Sequence, residues 1–126
     1  MSALLDEMNA LGAAAKVASS TLALASGDQK NRAILAAASS IRSEAATIQQ
    51  ANENDMDAAE AAGLSKAKLD RLLLTPERIE AMAVGLESVA ELAEPVGKVL
   101  AEWTRPNGLK IRRVSTPLGE IGVIYE

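Results

Sequence analysis

The feature that most restricts the fold is the C-terminal stretch Leu109–Glu126, which indicates two β-strands joined by a turn. Residues 109–115 alternate apolar and polar side chains, a pattern typical of a strand with one face in water. After Pro117-Leu118-Gly119, residues 121–125 are almost continuously apolar, as in a strand of a parallel sheet covered on both faces. The sequence stops at Glu126, so we expect this strand to open a domain whose remainder lies outside the sequence.

The first 93 residues show the apolar periodicity of helices. One helix is predicted from about Ala3 to Ala25 and a second from about Gly27 to Gln50. A short third helix is expected after Asn52 or Asn54, because asparagine is a favoured N-cap, and Gly63 should follow its end. The apolar stripes are Leu4, Met8, Leu11, Ala15, Ala18 and Leu22 in the first helix and Ile34, Ala37, Ile41, Ala45 and Ile48 in the second.

Two more helices are predicted before the strands. Ser65 is placed to cap a short helix over Lys66–Leu73. Thr75 followed by Pro76 is typical of a helix start, with threonine at the N-cap and proline at the first helical position. This last helix should end before Glu94-Pro95, and its expected inward face is Ile79, Met82, Leu86 and Val89.

The character of the sequence changes after residue 93. Asn107-Gly108 is the strongest short-range indication of a β-hairpin, so Val99–Thr104 and Leu109–Ser115 are expected to pair antiparallel. The predicted class is α/β overall. It comprises a helical region over residues 1–93, then residues 94–126 as a β-hairpin and the first strand of an incomplete domain.

The composition excludes several chemistries for this chain. It has no cysteine and no histidine among 126 residues. It therefore lacks a thiol nucleophile, a disulfide, a thiolate or imidazole metal site and a Ser-His-Asp triad.

A net charge of −4, with no basic cluster longer than Arg112-Arg113, argues against a nucleic-acid partner. No stretch approaches the ~20 apolar residues that span a bilayer. Asp6 and Glu7 argue against a signal peptide, so a cytoplasmic location is favoured.

Two stretches of the sequence are candidate ligand sites by composition. A calcium loop starting at Asp55 would need glycine at its sixth position and glutamate at its twelfth, but Glu60 and Lys66 stand there. Gly119-Glu120-Ile121-Gly122 does not match the dinucleotide fingerprint and is better explained by a turn and close strand packing. The helical stripes would also suit a protein-interaction module, and their spacing does not distinguish that role from core packing.

Specific segments are more informative than this periodicity. They include Lys30-Asn31-Arg32, Ala51-Asn52-Glu53-Asn54-Asp55, Gly63-Leu64-Ser65, Leu69-Asp70-Arg71-Leu72, Leu74-Thr75-Pro76-Glu77-Arg78-Ile79, Glu94-Pro95-Val96-Gly97, Asn107-Gly108-Leu109 and, most specific, residues 117–126. In this order, and over nearly the whole chain, they resemble the glutamate-5-semialdehyde dehydrogenase family. This family, also called gamma-glutamyl phosphate reductase, is a branch of the aldehyde dehydrogenase superfamily.

The resemblance implies an enzyme of proline biosynthesis. Such enzymes reduce a small-molecule substrate, L-glutamyl 5-phosphate, to L-glutamate 5-semialdehyde with NADPH. The resemblance also implies an aldehyde dehydrogenase-like fold in which the last strand begins a Rossmann-like NADP-binding domain. It further implies contact with the remainder of the same polypeptide and assembly into a homo-oligomer. The family's catalytic cysteine lies beyond Glu126, so this chain alone is expected to be inactive.

By analogy with the superfamily, the end of that strand lines the nicotinamide side of the cofactor pocket. This analogy makes Ile124, Tyr125 and Glu126 the candidate cofactor-binding residues, although Ile124 and Tyr125 would equally suit a strand core. No catalytic residue and no metal ligand is predicted within the chain. The alternative function is a non-catalytic helical protein-interaction domain.

Overall fold

A computed structural model of the protein describes residues 3–124. Within that range the elements are α1 (Ala3–Leu22), α2 (Gly27–Ser43), α3 (Ala45–Ala61), α4 (Lys66–Leu72), α5 (Pro76–Ala90), β1 (Val99–Thr104) and β2 (Lys110–Val114). They form two compact units, one of residues 28–92 and one that joins residues 3–27 with residues 93–124. The division into domains at residue 93 stays a prediction.

The unit of residues 28–92 is a helical assembly in which α3 contacts both α4 and α5. Its buried side chains are mostly alanines, which let helix backbones approach closely. In α5 only Ile79 of the expected inward face is buried, while Met82 and Val89 remain 40% and 49% exposed. The buried apolar residues are Ala38, Ala59, Ile79 and Ala83.

The helix boundaries differ from the prediction at one place. The expected helix over Gly27–Gln50 is interrupted at Glu44, and α3 then continues through Asn52 to Ala61. No helix starts at Asn52 or Asn54, because the backbone of that region is already helical. Gly63 follows α3 as predicted, with a φ of 73°. Its N–H donates to Glu60 O (2.9 Å) and that of Leu64 to Ala59 O (3.1 Å), a Schellman-type ending.

The start of α5 confirms the local prediction. Thr75 is extended, with φ −77° and ψ 162°, and its Oγ1 accepts a hydrogen bond from the backbone N–H of Arg78 at 3.3 Å. Pro76 occupies the first turn, where its missing N–H would have no helical partner. A single sequence motif therefore sets where this helix begins.

The hairpin is also confirmed. β1 and β2 pair antiparallel, with Trp103 opposite Ile111 and Thr104 opposite Lys110. Gly108, at φ 84°, makes the turn, and its N–H donates to Arg105 O at 2.9 Å. A register shift between Val99 and Ala101 interrupts the ladder near the start of β1.

The strand expected over Ile121–Tyr125 is not formed in residues 121–124, the part that the structure describes. Ile121 is 73% exposed, Val123 62% and Ile124 93%. A strand requires a hydrogen-bonded neighbour, and the two-stranded sheet does not extend to this segment. Among residues 3–124, none of the helices combines the length and the apolar character needed to cross a bilayer.

Candidate functional site

A groove lies between α1 and residues 120–124. Its volume is about 810 Å³. One wall is the predicted apolar stripe of α1, including Met8, Leu11 and Ala15, and the other is the apolar C-terminal segment. α1 has no buried residue, and Leu11 is 62% exposed. The amphipathic pattern therefore predicts the helix correctly, but the apolar face that it produces is left in contact with solvent.

One end of this groove is polar. The positive φ of Gly119 (99°) turns the chain after Pro117, and Glu120 then faces α1. The Ser19 hydroxyl donates to Glu120 Oε1 at 2.9 Å. The pKa of the Glu120 carboxyl lies below its usual value because it accepts a hydrogen bond from its own backbone N–H and from Ser19, with the charge of Lys16 nearby. The carboxylate is thus held in its ionised form at this end of the groove.

The predicted cofactor-binding residues are only partly described. Ile124 lines the groove, while Tyr125 and Glu126 lie outside the described residues. The structure therefore places Ile124 beside α1 and leaves the cofactor role of all three residues as a prediction. Within residues 3–124, no three acidic side chains come together in a way that would hold a metal ion.

A second cleft, of about 340 Å³, lies between α3 and the connection from α4 to α5. Asn52 is one of its lining residues and is only 6% exposed. The side-chain amide donates from Nδ2 to Leu72 O at 2.9 Å and accepts at Oδ1 from the backbone N–H of Leu74 at 2.7 Å. Asn52 therefore satisfies the hydrogen-bonding needs of two backbone groups in the connection between α4 and α5.

Arg78 holds the same connection from the side of α5. Its Nη1 donates to Leu73 O at 2.8 Å and also to Asp70 O, and its Nη2 contacts Asp70 Oδ1 at 3.1 Å. These carbonyls belong to the end of α4, where a helix has no intrahelical partners for them. Asn52 and Arg78 together fix the α4–α5 connection through side chains from two different helices.

The sequence pattern predicts a helix cap at Asn52, whereas the structure shows a buried side chain that bridges two backbone groups. An indication was nevertheless present in the spacing. The apolar stripe of the second predicted helix ends at Ile48, and the same steps of four and three continue through Asn52, Met56 and Ala59. A polar residue on a continuing apolar face predicts a buried side chain that needs hydrogen-bond partners.

A charged cluster connects α2 with α5. Arg42 contacts both Glu80, with Nη2 to Oε1 at 2.7 Å, and Glu87, with Nη2 to Oε2 at 3.0 Å. These hydrogen bonds to Arg42 lower the pKa of both carboxyls, and they raise the pKa of the guanidinium further above its usual value. All three side chains are more than a third exposed. The cluster is therefore a solvent-exposed ion-pair link between α2 and α5, and it offers no closed binding site.

Comparison with known proteins identifies similar sequences. No protein-family model matches the chain. It is 56% identical over 119 residues to the gamma-glutamyl phosphate reductase of Paramagnetospirillum magneticum, which covers 94% of this chain and 28% of that protein. It is 58% identical over 116 residues to the enzyme of that name from Allorhizobium ampelinum, covering 92% of this chain and 27% of that protein. The chain thus spans about a quarter of the length of the curated relatives that it matches.

Solved structures give the same result. The crystal structure of gamma-glutamyl phosphate reductase from Thermotoga maritima matches with a TM-score of 0.79 and 35% identity, over 82% of this chain and 25% of that one. The Saccharomyces cerevisiae structure of the same name matches with a TM-score of 0.76 and 31% identity, over 82% and 26%. The resemblance and the fold class predicted from the sequence are therefore confirmed for the part of the reductases that this chain spans.

Proposed function

We propose that this chain is the N-terminal part of a gamma-glutamyl phosphate reductase, because it is similar in sequence and backbone to a segment that makes up about a quarter of the length of such enzymes. The complete protein would reduce L-glutamyl 5-phosphate to L-glutamate 5-semialdehyde in proline biosynthesis. The observation that supports this most directly is identity of 55–58% to four such reductases over more than nine-tenths of the chain.

The proposed chemistry divides between this chain and the rest of the enzyme. A cysteine thiolate adds to the acyl carbon of the substrate, phosphate leaves, and a thioester forms. A bound NADPH would supply the hydride for reduction of the thioester to the aldehyde, and the residues of this chain proposed to lie beside it are Ile124, Tyr125 and Glu126. Since this chain has no cysteine, the covalent step belongs to residues outside it.

The contribution proposed for this chain is one wall of the cofactor pocket. Ile124, Tyr125 and Glu126 are the residues assigned to it, on the nicotinamide side. The described part of this segment offers an apolar surface, and Ile124 is 93% exposed, so it is accessible to a ligand. An apolar wall excludes water from the path of a hydride, which is what such a position requires.

The remaining properties of the complete protein are also proposals. The substrate is a small molecule, the enzyme acts in the cytoplasm, and it assembles as a homo-oligomer. A net charge of −4 and the lack of a basic cluster support the absence of a nucleic-acid partner. The alternative, a helical interaction domain without catalysis, is supported only by the exposed apolar face of α1.

A full-length chimera tests the proposed function. This chain replaces the matching 116 residues of the Rhodospirillum rubrum reductase, to which it is 56% identical. We expect the chimera to oxidise glutamate semialdehyde in the presence of phosphate with reduction of NADP⁺, and to restore growth of a proline auxotroph lacking this reductase. The 126-residue chain alone should do neither. A folded chimera without activity would contradict the proposal.

A further inference from the structure

Asn107-Gly108 is the one asparagine-glycine pair in the sequence, and it lies in the exposed turn between β1 and β2. We propose that this pair is a site of spontaneous covalent modification, at which Asn107 loses ammonia and becomes aspartate or isoaspartate. The reaction requires only the hairpin, so it does not depend on the proposed enzymatic function. It gives the turn a chemical reactivity in addition to its structural role.

The reaction is an attack of the backbone on a side chain. The Gly108 amide nitrogen loses its proton to solvent and forms a bond to Asn107 Cγ. The Cγ–Nδ2 bond breaks, Nδ2 takes a proton from water and leaves as ammonia, and a succinimide ring remains. Water then opens the ring at Cγ, which gives aspartate, or at the backbone carbonyl of Asn107, which gives isoaspartate. One water is consumed and one ammonia released, with no oxidant or cofactor.

The attacking nitrogen is accessible in this turn. Gly108 has no side chain to obstruct the approach, and nothing outside the adjoining residues lies within 4 Å of the position that a Cβ would occupy. Its N–H donates to Arg105 O at 2.9 Å, in an exposed turn where water can replace that acceptor. Only this hydrogen bond has to open before the nitrogen can react.

The carbon that is attacked is activated by a second hydrogen bond. Asn107 Oδ1 accepts from the backbone N–H of Leu109 at 3.2 Å. Negative charge develops on this oxygen as nitrogen adds to Cγ, and a donor that already points at it stabilises that charge. The positive charges of the flanking Arg105 and Lys110 act in the same direction.

The other asparagines of the chain are held in helices. Asn9 lies in α1, Asn31 in α2, and Asn52 and Asn54 in α3. In a helix the nitrogen that would attack donates to the carbonyl four residues earlier, and hydrogen bonds on both sides fix the backbone. Attack there requires local unfolding of the helix, so the fold directs the reaction to Asn107.

The two products affect the hairpin differently. Aspartate keeps the backbone unchanged, its carboxylate can accept from the Leu109 N–H, and Asp-Gly is also a preferred hairpin turn. Isoaspartate adds a carbon to the main chain, which displaces the Gly108 N–H from Arg105 O and the Arg105 N–H from Leu109 O, now 2.9 Å apart in each pair. Isoaspartate should therefore open this end of the hairpin. Trp103, the only tryptophan, reports the opening because it lies opposite Ile111.

Ageing of the purified chain tests the proposal. The 126-residue chain is incubated at mildly alkaline pH, once in native buffer and once in guanidinium chloride. Mass spectrometry of the peptides follows the replacement of an amide NH2 by OH at each asparagine, and Asn54, exposed on α3, is the control in the same sample. Asn107→Gln is the control variant, because glutamine would have to close a larger ring and reacts far more slowly.

We expect the rate at Asn107 in native buffer to stay within about tenfold of its rate in denaturant, whereas the rate at Asn54 should fall by more than about tenfold, because only Asn54 requires local unfolding. The aged chain should accept methyl groups from an isoaspartyl methyltransferase, and the emission of Trp103 should shift with the extent of modification. Asn107→Gln should show neither change, and freshly prepared Asn107→Asp should keep the emission of the unmodified chain.

Stronger suppression at Asn107 than this in the native chain would overturn the proposal, as would equal suppression at Asn107 and Asn54. Isoaspartate without a change in the Trp103 emission would refute the opening of the hairpin. If circular dichroism shows that the 126-residue chain is not helical, the same comparison of peptides is made in the full-length chimera described above. Activity of the fresh chimera is measured separately, so failure of the enzymatic function and failure of this modification are distinguishable.

Discussion

The hydrogen bonds of Asn52 lead to a quantitative prediction for Asn52→Leu. Leucine branches at the same carbon as asparagine and is somewhat larger, so the substitution removes the polar atoms without opening a cavity. It also leaves Leu72 O and the Leu74 N–H without the partners that they have at 2.9 and 2.7 Å. The variant therefore measures the cost of two unsatisfied backbone groups at the α4–α5 connection.

The expected loss of stability is about 2–4 kcal/mol. Each half-buried backbone group that loses its partner costs about 1–3 kcal/mol in desolvation, and the connection is partly open to water, which favours the lower half of that range. The higher helix propensity of leucine offsets this loss of stability by only about a few tenths of a kcal/mol. With a urea dependence of about 2 kcal/mol per M, the midpoint of unfolding should fall by about 1–2 M.

Urea titration followed by circular dichroism gives the midpoint, and hydrogen exchange at the Leu74 amide reports the lost bond directly. Asn54→Leu is the matched control, because Asn54 is exposed on the same helix two residues away. The control should change stability by less than about 0.5 kcal/mol. If Asn52→Leu and Asn54→Leu had the same midpoint, the structural role assigned to Asn52 would be wrong.

Three other predictions concern stability. The Glu80 and Glu87 pKa values are lowered in the folded state, so their contribution is present above the ordinary glutamate pKa of 4.5 and is lost as the pH falls through the folded values. Arg42→Gln should therefore flatten the decrease in melting temperature between neutral and acidic pH, whereas an unchanged pH profile would contradict the ion-pair geometry. Gly63→Ala should destabilise by about 1 kcal/mol in a thermal melt, because Gly63 has φ 73°. Thr75→Ala should cost about 1 kcal/mol through loss of the helix cap, while Thr75→Ser should retain most of it.

The elements that the sequence predicted correctly depend on neighbouring residues alone. Thr75-Pro76 marks a helix start because the side chain and ring act within one turn. Gly63 marks a helix end because only glycine adopts a positive φ at low cost. Asn107-Gly108 determines a hairpin for the same reason. Each of these features is decided within about four residues, so no knowledge of the distant chain is needed.

Long-range contacts account for what was missed. Asparagine is a residue type favoured at helix caps. Asn52 is buried and bridges two backbone groups only because the α4–α5 connection, some 20 residues away, packs against it. The ion pairs of Arg42 with Glu80 and Glu87 likewise could not be predicted from residue spacing, because the partners are 38 and 45 positions apart in the sequence. Contacts of this kind follow from how helices pack, which periodicity does not specify.

The sequence by itself determined that most of the first 93 residues are helical, where the hairpin turns and the resemblance to the reductases, since these depend on local propensity and on specific segments. Only the tertiary structure decided which apolar faces are covered. α1 has the stripe of a core helix and Ile121–Ile124 the composition of a buried strand, yet both remain exposed in the described chain. The physical reason is that amphipathicity specifies a preference for burial, whereas burial itself requires a second surface in contact with the first.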